Sequence, residues 1–538
     1  MTTTVSDRAP VAATATTARD RAVRWAVVLG PALLALALGI QRSARLPLWR
    51  DEFATAMFAK LPIDDLLASL GHVDAVTGLY YLLAHATAPV LGYDLGLRVL
   101  SIIAVAASTA VVALLALRWW GPLAASAAGV AFAVNESTLT SAALARQYAL
   151  AVLFVALAVL AVEIAAATGR RWAWVGYAVA ASAAVALHVL ALVGIGLTAL
   201  LLLGRARGAG RSWAWWCGAT AIPAVVAVAL LAPGLTQRGQ LAWLSAPSLR
   251  TVIGDLADTV GVSPDREVLF DGIALIVFAA MAVVALIVAV RPPVTSRAMM
   301  PTPDPSPIAR VRPVVFAVAL TVAPWLVLAA ASWLVTPILT ARYISWSTLG
   351  AALVIAAAVH AARTTSRGLA IVAGTLAGVV LATSILVAIP RLWSLPPRGD
   401  DFPAAVGLLE GEAEVGDLLV LQQRYYEGGV AFGFAASADD AGQVDDVFRR
   451  QPTGGQPLLD VRRITNADPL RSTAQGGAVG VGETVWLVGL LEPADPALVT
   501  GMEPSLAACL TGAGPEPYER FGALYVYRIA CEVETGSE

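Results

Sequence analysis

The sequence contains few charged residues, a single lysine and only three cysteines. Aspartate, glutamate, lysine and arginine make up 14% of its 538 residues, whereas a soluble domain has about 25%. So few charges do not cover the surface of a soluble protein of this size, which excludes a purely soluble enzyme. The cysteine count excludes a disulfide-rich scaffold and an iron–sulfur protein. A net charge of −2 provides no overall field for nucleic acid, so no nucleic-acid partner is expected.

Long apolar runs take the place of the missing charges, and the mean hydropathy is +0.73. Runs of about 18 to 25 apolar residues are long enough to cross roughly 30 Å of hydrocarbon as helices. The first run lacks a small-residue cleavage site, so it is interpreted as a retained membrane helix and not as a signal peptide. The stretch 172–204 is too long for one crossing and is divided near His188. The sequence thus predicts about eleven membrane helices, at 23–40, 97–117, 121–135, 147–167, 172–187, 189–204, 213–232, 271–290, 314–336, 345–362 and 368–389.

The arginines predict the orientation of these helices. With residues 1–22 as a cytoplasmic tail, the connections on that side are short or proline-rich and carry arginine with few acids. The opposite connections, beginning with the loop 41–96, hold nearly all the acids. Eleven crossings place the C-terminus outside. The sequence therefore predicts a multi-pass protein of the plasma membrane, with a transmembrane domain over 23–390.

The composition changes after Pro390, where acidic residues and glycines become frequent and no run is long enough to span. Residues 391–538 are therefore predicted to form a soluble α/β domain on the outer face. Its expected elements are a helix over 402–409 and strands over 417–421, 484–490 and 523–529.

The three cysteines fall in different environments. Cys509 and Cys531 both lie in the predicted outer domain, and an oxidising compartment favours a disulfide between them. Cys217 lies in a predicted membrane helix, so it is expected to be a small buried residue.

Two adjacent carboxylates, Asp51 and Glu52, follow the first predicted membrane helix. They lie between Trp49 and Phe53, and a pair of acids beside aromatic residues is costly at a bilayer interface. The structural interpretation is that one of them stabilises the first turn of a following helix through its dipole. The functional interpretation is a carboxylate that acts as a general base. Charge alone does not decide between the two.

Two Arg-Tyr sites lie at predicted outer helix ends, far apart in sequence. Arg146 precedes Tyr148, and Arg342 directly precedes Tyr343. Arginine on the outer side runs against the positive-inside trend, which favours an anionic partner over simple snorkelling. Guanidinium pairs bidentately with phosphate oxygens, so the two sites together indicate a phosphate clamp. His188 lies on the same predicted face, where a packing role is its simplest interpretation.

The order of these motifs resembles the GT-C membrane glycosyltransferases of the family-39 kind, which include protein O-mannosyltransferases and lipid A aminoarabinose transferases. The resemblance covers about residues 20–390. Leu144 and the segment Ala75–Gly78 depart from the usual family residues, so the acceptor class stays open. The motifs are, in chain order, WRDE (Trp49–Glu52), D-x-x-x-G-LYYLL (Asp74–Leu83), ARQYAL (Ala145–Leu150), LH (Leu187-His188) and ARY (Ala341–Tyr343).

The resemblance implies transfer of a sugar, mannose or an arabinofuranose-like sugar, from a polyprenyl-phosphate donor to a cell-envelope polysaccharide, lipid or protein on the outer face. It implies a GT-C-like polytopic α-helical fold. The family positions assign the catalytic site to Asp51 and Glu52, the donor side to Arg146, Tyr148, His188, Arg342 and Tyr343, and the acceptor side to Asp74, Tyr80 and Tyr81.

The chemistry of such a donor fits these residues without a nucleotide site, because a lipid phosphate is already a good leaving group. Asp51 is expected to be the general base, and Arg146 and Arg342 are expected to stabilise the departing phosphate. These residues assign no cofactor, and a divalent cation stays open. Glu52 is open to three roles: it orients Asp51, raises the pKa of Asp51 by like charge, or binds a divalent cation.

Two other classes compete with an enzyme. A polyprenyl-lipid transporter, flippase or scaffold also has many helices and outer arginines, but its route needs ionisable residues inside the helices, where Glu163 is the main one. A receptor with the C-terminal domain as binding module needs far fewer crossings than eleven.

Overall fold

A computed structural model describes residues 18–46, 48, 50–71, 74–204, 209–241, 244–261, 268–291, 307–392, 401–423, 458–463, 479–489, 493, 504–514, 516–521 and 524–531. Helices dominate as far as residue 392. They are α1 (Ala18–Ser43), α2 (Arg50–Lys60), α3 (Ile63–Leu70), α4 (Gly78–Leu91), α5 (Tyr93–Trp120), α6 (Pro122–Val134), α7 (Glu136–Ala142), α8 (Tyr148–Thr168), α9 (Arg171–Leu187), α10 (Ala191–Leu197), α11 (Ala209–Thr236), α12 (Leu249–Val260), α13 (Val268–Val290), α14 (Pro307–Leu334), α15 (Ser347–Thr364) and α16 (Arg367–Arg391).

Eight helices among the described residues are long and apolar enough to cross a membrane: Ala18–Ser43, Gly96–Trp120, Tyr148–Thr168, Gly210–Thr236, Leu269–Val290, Ile308–Leu334, Ser347–Thr364 and Arg367–Pro390. The other three predicted spans correspond to the shorter helices α6, α9 and α10, the last continued by a 3-10 helix over Thr198–Leu202. The figure of eleven crossings and the outward orientation therefore stay predictions. The predicted break at His188 is confirmed, because α9 ends at Leu187 and His188 has an extended backbone.

The connection between α1 and α5 is folded into short helices that are too short to cross. Asp51 and Glu52 lie in the first turn of α2, as the capping interpretation expects. In α4 the buried residues Tyr80, Tyr81, Ala84 and Ala88 recur at helical spacing, which gives the helix one packed side. With 14 residues, α4 is also too short for a comfortable crossing.

The C-terminal region contains α17 (Phe402–Glu412), α18 (Pro504–Thr511) and a five-stranded sheet. Its strands are β1 (Leu418–Gln423), β2 (Leu458–Arg463), β3 (Thr484–Gly489), β4 (Glu519–Phe521) and β5 (Leu524–Ala530), in the order β2-β1-β3-β5-β4. β1 and β3 are parallel and the other pairs antiparallel. The predicted helix and three predicted strands are confirmed, whereas β2 and β4 were not predicted.

The structure confirms one of the two predictions about the cysteines and contradicts the other. The predicted disulfide between Cys509 and Cys531 is confirmed, and it joins α18 to the end of β5. The prediction for Cys217 was wrong, because its side chain is exposed on α11. Only 11% of the apolar window of α11 is buried inside the protein, so a residue on most of its faces points outward.

Candidate active site

The predicted site residues come together where the start of α2, the α7–α8 connection and a 3-10 helix over Ala341–Ile344 meet. Asp51 lies at this junction. Its Oδ2 accepts a hydrogen bond from Arg342 Nη1 at 2.7 Å, across 291 positions of sequence. The side chains are 11% and 25% exposed, so the pair is partly shielded yet reachable from outside. This ion pair places a group that can accept a proton, the Asp51 carboxylate, next to a group that can bind phosphate, the Arg342 guanidinium.

Arg146 is the second cation at this junction. Its Nη1 donates to the backbone oxygen of Asp51 at 3.3 Å and to the Tyr81 hydroxyl at 3.0 Å, while its Nε is buried and has no acceptor among the described residues. Burial alone lowers the pKa of Arg146, but Tyr81, Asp51 and Tyr148 outweigh it and raise the pKa well above the usual value. The guanidinium therefore stays charged and keeps an unused donor.

Tyr81 connects Arg146 to Asp74. The Tyr81 hydroxyl donates to Asp74 Oδ2 at 2.5 Å, and its ring stacks on Phe58 with the centroids 4.2 Å apart. Burial raises the pKa of Tyr81 well above 10 against the lowering influence of Arg146, so the hydroxyl keeps its proton. Asp74 has a left-handed backbone with φ of 52°, a conformation that aspartate adopts more readily than most residues. Asp74 and Tyr81 act on the site through Arg146.

Glu52 turns away from this junction and forms a buried ion pair with Arg98 of α5. Arg98 Nε and Nη2 donate to the two carboxylate oxygens at 2.7 and 2.5 Å. Glu52 is 0% exposed and Arg98 is 4% exposed. Both carboxylate oxygens accept from one guanidinium, a geometry that favours a positioning role for Glu52 over a catalytic or cation-binding one.

The same carboxylate holds the residue that precedes Arg146. Glu52 Oε1 accepts from the backbone N–H of Ala145 at 2.7 Å, and the Thr55 hydroxyl donates to the Ala145 carbonyl at 2.8 Å. Glu52 and Thr55, three positions apart in α2, thus bind the N–H and the carbonyl of Ala145. These two hydrogen bonds fix the position of Arg146 relative to Asp51.

Sequence reasoning missed Arg98 and Thr55. Arg98 carries a signal that was available, because it is the one charge in the predicted span 97–117 and lies at the end that the arginine pattern predicts to be outer. Its remaining guanidinium nitrogen donates to the backbone oxygens of Ser43 and Leu46 at 2.9 and 2.6 Å. Arg98 therefore ties the end of α1 to α2. Thr55 carries no signal that separates it from any other threonine.

Tyr80, which is predicted on the acceptor side, lies inside the protein and away from the junction. Its side chain is 0% exposed, and its hydroxyl donates to the Leu97 carbonyl at 3.0 Å. Adjacent helix positions point about 100° apart, so Tyr80 faces α5 while Tyr81 faces the junction. Tyr80 is a packing residue between α4 and α5.

Aromatic rings form a wall beside the two arginines. The His188 ring lies 5.2 Å from Tyr343, 5.6 Å from Trp346 and 5.9 Å from Tyr148, measured between centroids. Burial, together with Arg146 and Arg342, lowers the pKa of His188 from 6.5 to about 3. The imidazole is therefore neutral at physiological pH. Its Nδ1 and the indole Nε1 of Trp346 are buried, and neither has a hydrogen-bond partner in the described part of the chain.

Within the described ranges, no three His, Cys, Asp or Glu side chains are grouped as a metal site requires. The nearby acids contact protein groups: Asp51 contacts Arg342, Asp74 contacts Tyr81, and Glu52, which turns away from the junction, contacts Arg98. The site is thus built from two arginines, the Asp51 carboxylate and an uncharged aromatic wall.

A scan of protein-family models finds no match to this sequence, and a search of the curated proteins finds none. Among solved structures, the chain is similar to ArnT from Cupriavidus metallidurans in the crystal structure bound to undecaprenyl phosphate. The TM-score is 0.50 at 13% identity, over 94% of this chain and 98% of that chain. The apo structure of the same protein gives a TM-score of 0.49 at 13% identity, with the same coverage. The archaeal oligosaccharyltransferase AglB from Archaeoglobus fulgidus gives 0.45 at 10% identity, over 74% of this chain and 59% of that chain.

The first of these likenesses spans nearly the whole of both chains, so it includes the C-terminal region as well as the helices. At 13% identity it shows a shared fold and not a shared substrate. The chain therefore has the GT-C-like fold that the order of its motifs predicts.

Proposed function

We propose that the protein is a membrane glycosyltransferase that moves a sugar from a polyprenyl-phosphate donor to a cell-envelope acceptor. The observation that carries the proposal is the junction of Asp51, Arg342 and Arg146. A reachable carboxylate and two fixed guanidinium groups are the groups that this transfer needs, and they come from three distant parts of the chain. ArnT, whose fold is similar, was crystallised with undecaprenyl phosphate.

In the proposed reaction the acceptor hydroxyl attacks the anomeric carbon of the sugar. The new bond joins the acceptor oxygen to that carbon, and the bond from the carbon to the phosphate oxygen breaks. The proton of the hydroxyl passes to the Asp51 carboxylate, a general-base step that typically contributes about 10²- to 10⁴-fold. The departing polyprenyl phosphate carries away the bonding electrons.

Arg146 and Arg342 stabilise the charge that builds on the phosphate. Arg342 already contacts Asp51, so a bound phosphate competes with the carboxylate for this guanidinium. When Arg342 also binds the phosphate, its ion pair with Asp51 weakens. The Asp51 carboxylate is then a better proton acceptor while the donor is bound. Arg146 offers its unpartnered Nε to the same phosphate.

The sugar is proposed to be uncharged, with mannose and arabinofuranose as the candidates. The aromatic wall contributes a neutral imidazole, two phenols and an indole to the side of the site next to the arginines. Asp51, Glu52 and Asp74 already contact Arg342, Arg98 and Tyr81. A cationic amino sugar would have to compete with these partners, whereas a neutral sugar requires only hydroxyl contacts.

The site is proposed to open on the outer face of the plasma membrane, where the arginine distribution places the loop 41–96 and the C-terminal domain. The acceptor is a polysaccharide, lipid or protein of the envelope. A flippase has less support, because the charged groups that meet at the junction lie at helix ends and loops and not along a path through the helices.

Donor binding tests the proposal. Binding of polyprenyl phosphate and of polyprenyl-phosphate mannose is measured with the purified protein in detergent. Arg146→Ala and Arg342→Ala each remove a charge-assisted hydrogen bond of about 1.5 to 3 kcal/mol, so each variant is expected to bind about 10- to 100-fold more weakly.

Arg118→Ala is the matched control, since Arg118 lies exposed in the last turn of α5, at the end opposite Arg98. It is expected to bind both ligands like the wild type. Equal binding by all four proteins contradicts the assignment of the two arginines to phosphate, and absence of polyprenyl-phosphate binding by the wild type contradicts the proposed function itself.

A further inference from the structure

A second cluster of arginines lies at the start of α9 and α11, at the opposite end of α9 from His188. From residue 164 to residue 254 the sequence contains no aspartate or glutamate. Arg170, Arg171 and Arg211 are exposed in this stretch, and no ion pair is formed by any of them in the described part of the chain. Three cations without an acid nearby in sequence leave a positive surface that the protein does not neutralise.

The arginines are arranged around one indole. The guanidinium carbon of Arg171 lies 6.0 Å from the centroid of the Trp215 ring. Arg211 precedes Trp215 by four positions in α11, so the two side chains lie on one helix face, a turn apart. Trp215 is thus flanked by one arginine from each helix. At this distance the guanidinium of Arg171 is attracted to the face of the indole, and this contact favours rotamers that keep the arginine next to Trp215.

Buried hydrogen bonds hold the two helices side by side below this cluster. The Tyr177 hydroxyl of α9 lies 2.8 Å from the Thr220 hydroxyl of α11. The Trp216 indole donates to the Thr198 hydroxyl at 2.9 Å, and that hydroxyl also lies 3.2 Å from Tyr177. The spacing between Arg171 and Arg211 is therefore set by a packed interface and not by flexible loops.

The cluster also has the composition of a membrane interface. Trp172 is 58% exposed and Trp215 is 38% exposed, directly beside the arginines. Indoles concentrate at the level of lipid headgroups, where one edge is wet and the other is apolar. The arginine side chains therefore lie at the depth of the phosphates of the bilayer.

From this arrangement we infer a binding site for the headgroup of an anionic phospholipid between the starts of α9 and α11, in which Arg170, Arg171 and Arg211 hold the phosphodiester and Trp215 packs against the glycerol region. Guanidinium matches phosphate oxygens bidentately, and an anionic lipid supplies the charge that the cluster lacks. A zwitterionic lipid brings its own cation and leaves the excess positive charge in place. By the arginine alternation, the site lies in the cytoplasmic leaflet.

The site is distinct from the candidate active site. Arg171 begins α9 and Leu187 ends it, so His188 lies about 25 Å away along the helix at 1.5 Å per residue. The inference does not depend on the proposed function.

Lipid retention tests the inference on the full chain. The protein is reconstituted in vesicles of phosphatidylglycerol and phosphatidylcholine in equal amounts, extracted with mild detergent, and its bound lipids are counted by native mass spectrometry. The wild type is expected to retain phosphatidylglycerol in preference to phosphatidylcholine. Arg170→Gln with Arg171→Gln is expected to weaken this retention about 30-fold, since each arginine near anionic headgroups contributes a factor of about five.

Arg363→Gln with Arg367→Gln is the matched control. These arginines are also exposed, at the end of α15 and the start of α16, and the double substitution removes the same charge. If the lipid binds at the proposed site, this control is expected to retain phosphatidylglycerol like the wild type. An equal loss in both double variants, or no loss in either, overturns the inference and leaves only diffuse surface charge.

Two further measurements distinguish a lipid site around the indole from a simple attraction between charges. Trp215→Leu changes no charge, and the site requires it to weaken phosphatidylglycerol retention; wild-type retention overturns the arrangement around the indole. Inorganic phosphate added as competitor is expected to leave phosphatidylglycerol bound, whereas displacement by phosphate overturns the assignment to a lipid. The melting temperature of each variant in detergent without added lipid shows whether it is folded.

Discussion

The buried pair of Glu52 and Arg98 gives the sharpest prediction about what holds the candidate site together. Arg98→Met keeps an unbranched apolar stem, although a shorter one, and removes the guanidinium. The Glu52 carboxylate, which is 0% exposed, then loses both of its short contacts to Arg98. The backbone oxygens of Ser43 and Leu46 lose their donor as well.

The expected cost is large because a charge is left buried without its partner. Breaking one side of such a pair costs about 3 to 5 kcal/mol, whereas replacing both sides by apolar residues of similar volume is often nearly neutral. Arg98→Met is therefore expected to lower the free energy of unfolding by about 3 to 5 kcal/mol. Adding Glu52→Leu to it is expected to recover at least about 1.5 kcal/mol, although the Ala145 N–H then lacks its acceptor.

The assay is unfolding in mixed micelles with increasing sodium dodecyl sulfate, followed by circular dichroism. Arg118→Met is the matched control on the same helix, because this arginine is exposed, and it is expected to change the free energy by less than about 0.5 kcal/mol. A cost below about 1 kcal/mol for Arg98→Met, or strictly additive effects in the double variant, refutes the reasoning. If a divalent cation restores the free energy of unfolding of Arg98→Met, the result instead supports a cation-binding role for Glu52.

Three further predictions concern other parts of the molecule. Tyr81→Phe removes the hydrogen bond that orients Arg146. Loss of about 1 kcal/mol is expected to raise the donor KM about fivefold with kcat nearly unchanged. Steady-state kinetics check this prediction, and an unchanged KM contradicts it. The pKa of His188 is lowered to about 3, so its ring is neutral from pH 5 to 8; His188→Gln is expected to leave the pH profile of turnover unshifted, and loss of an inflection near pH 6.5 contradicts this. Cys509 and Cys531 are 22 positions apart, so reducing their disulfide is expected to destabilise the C-terminal domain by about 3 kcal/mol, measured by limited proteolysis with and without reductant; equal cleavage rates contradict it.

The sequence predicts most of the helices and the identity of the residues that meet at the junction. Asp51, Arg146 and Arg342 are predicted because acids and outer arginines are rare in this chain and each lies at the end of an apolar run. The three residues meet because the fold brings the ends of these three apolar runs to the same face of the protein. The distances depend on packing between helices, which periodicity does not encode.

Glu52 and Tyr80 lie away from the junction for a common physical reason. Glu52 is adjacent to Asp51, and Tyr80 is adjacent to Tyr81, so each pair carries the same local signal. A rotation of about 100° per residue sends one member of each pair to the junction and the other into the core. The rotation is set by partners elsewhere in the chain, Arg98 for Glu52 and Leu97 for Tyr80.

The C-terminal sheet shows a similar limit. β1, β3 and β5 are apolar segments with buried residues, and each is predicted. β4 has only three residues, and β2 (LLDVRR) contains three charged residues among six; both strands lie at the edges of the sheet. Edge strands bury less apolar surface, so their composition separates them poorly from loops.

Turnover by Asp51→Asn tests the central claim most directly. The wild type and the variant are incubated with labelled polyprenyl-phosphate mannose and, in parallel, with labelled polyprenyl-phosphate arabinofuranose, in the presence of envelope extract as acceptor. The asparagine keeps the shape of the side chain but loses the basicity, so the variant is expected to bind donor within a few-fold of the wild type. Its transfer of label is expected to fall by about 10²-fold or more. Transfer at a near wild-type rate contradicts the account, because Asp51 would then be only the first-turn acid of α2.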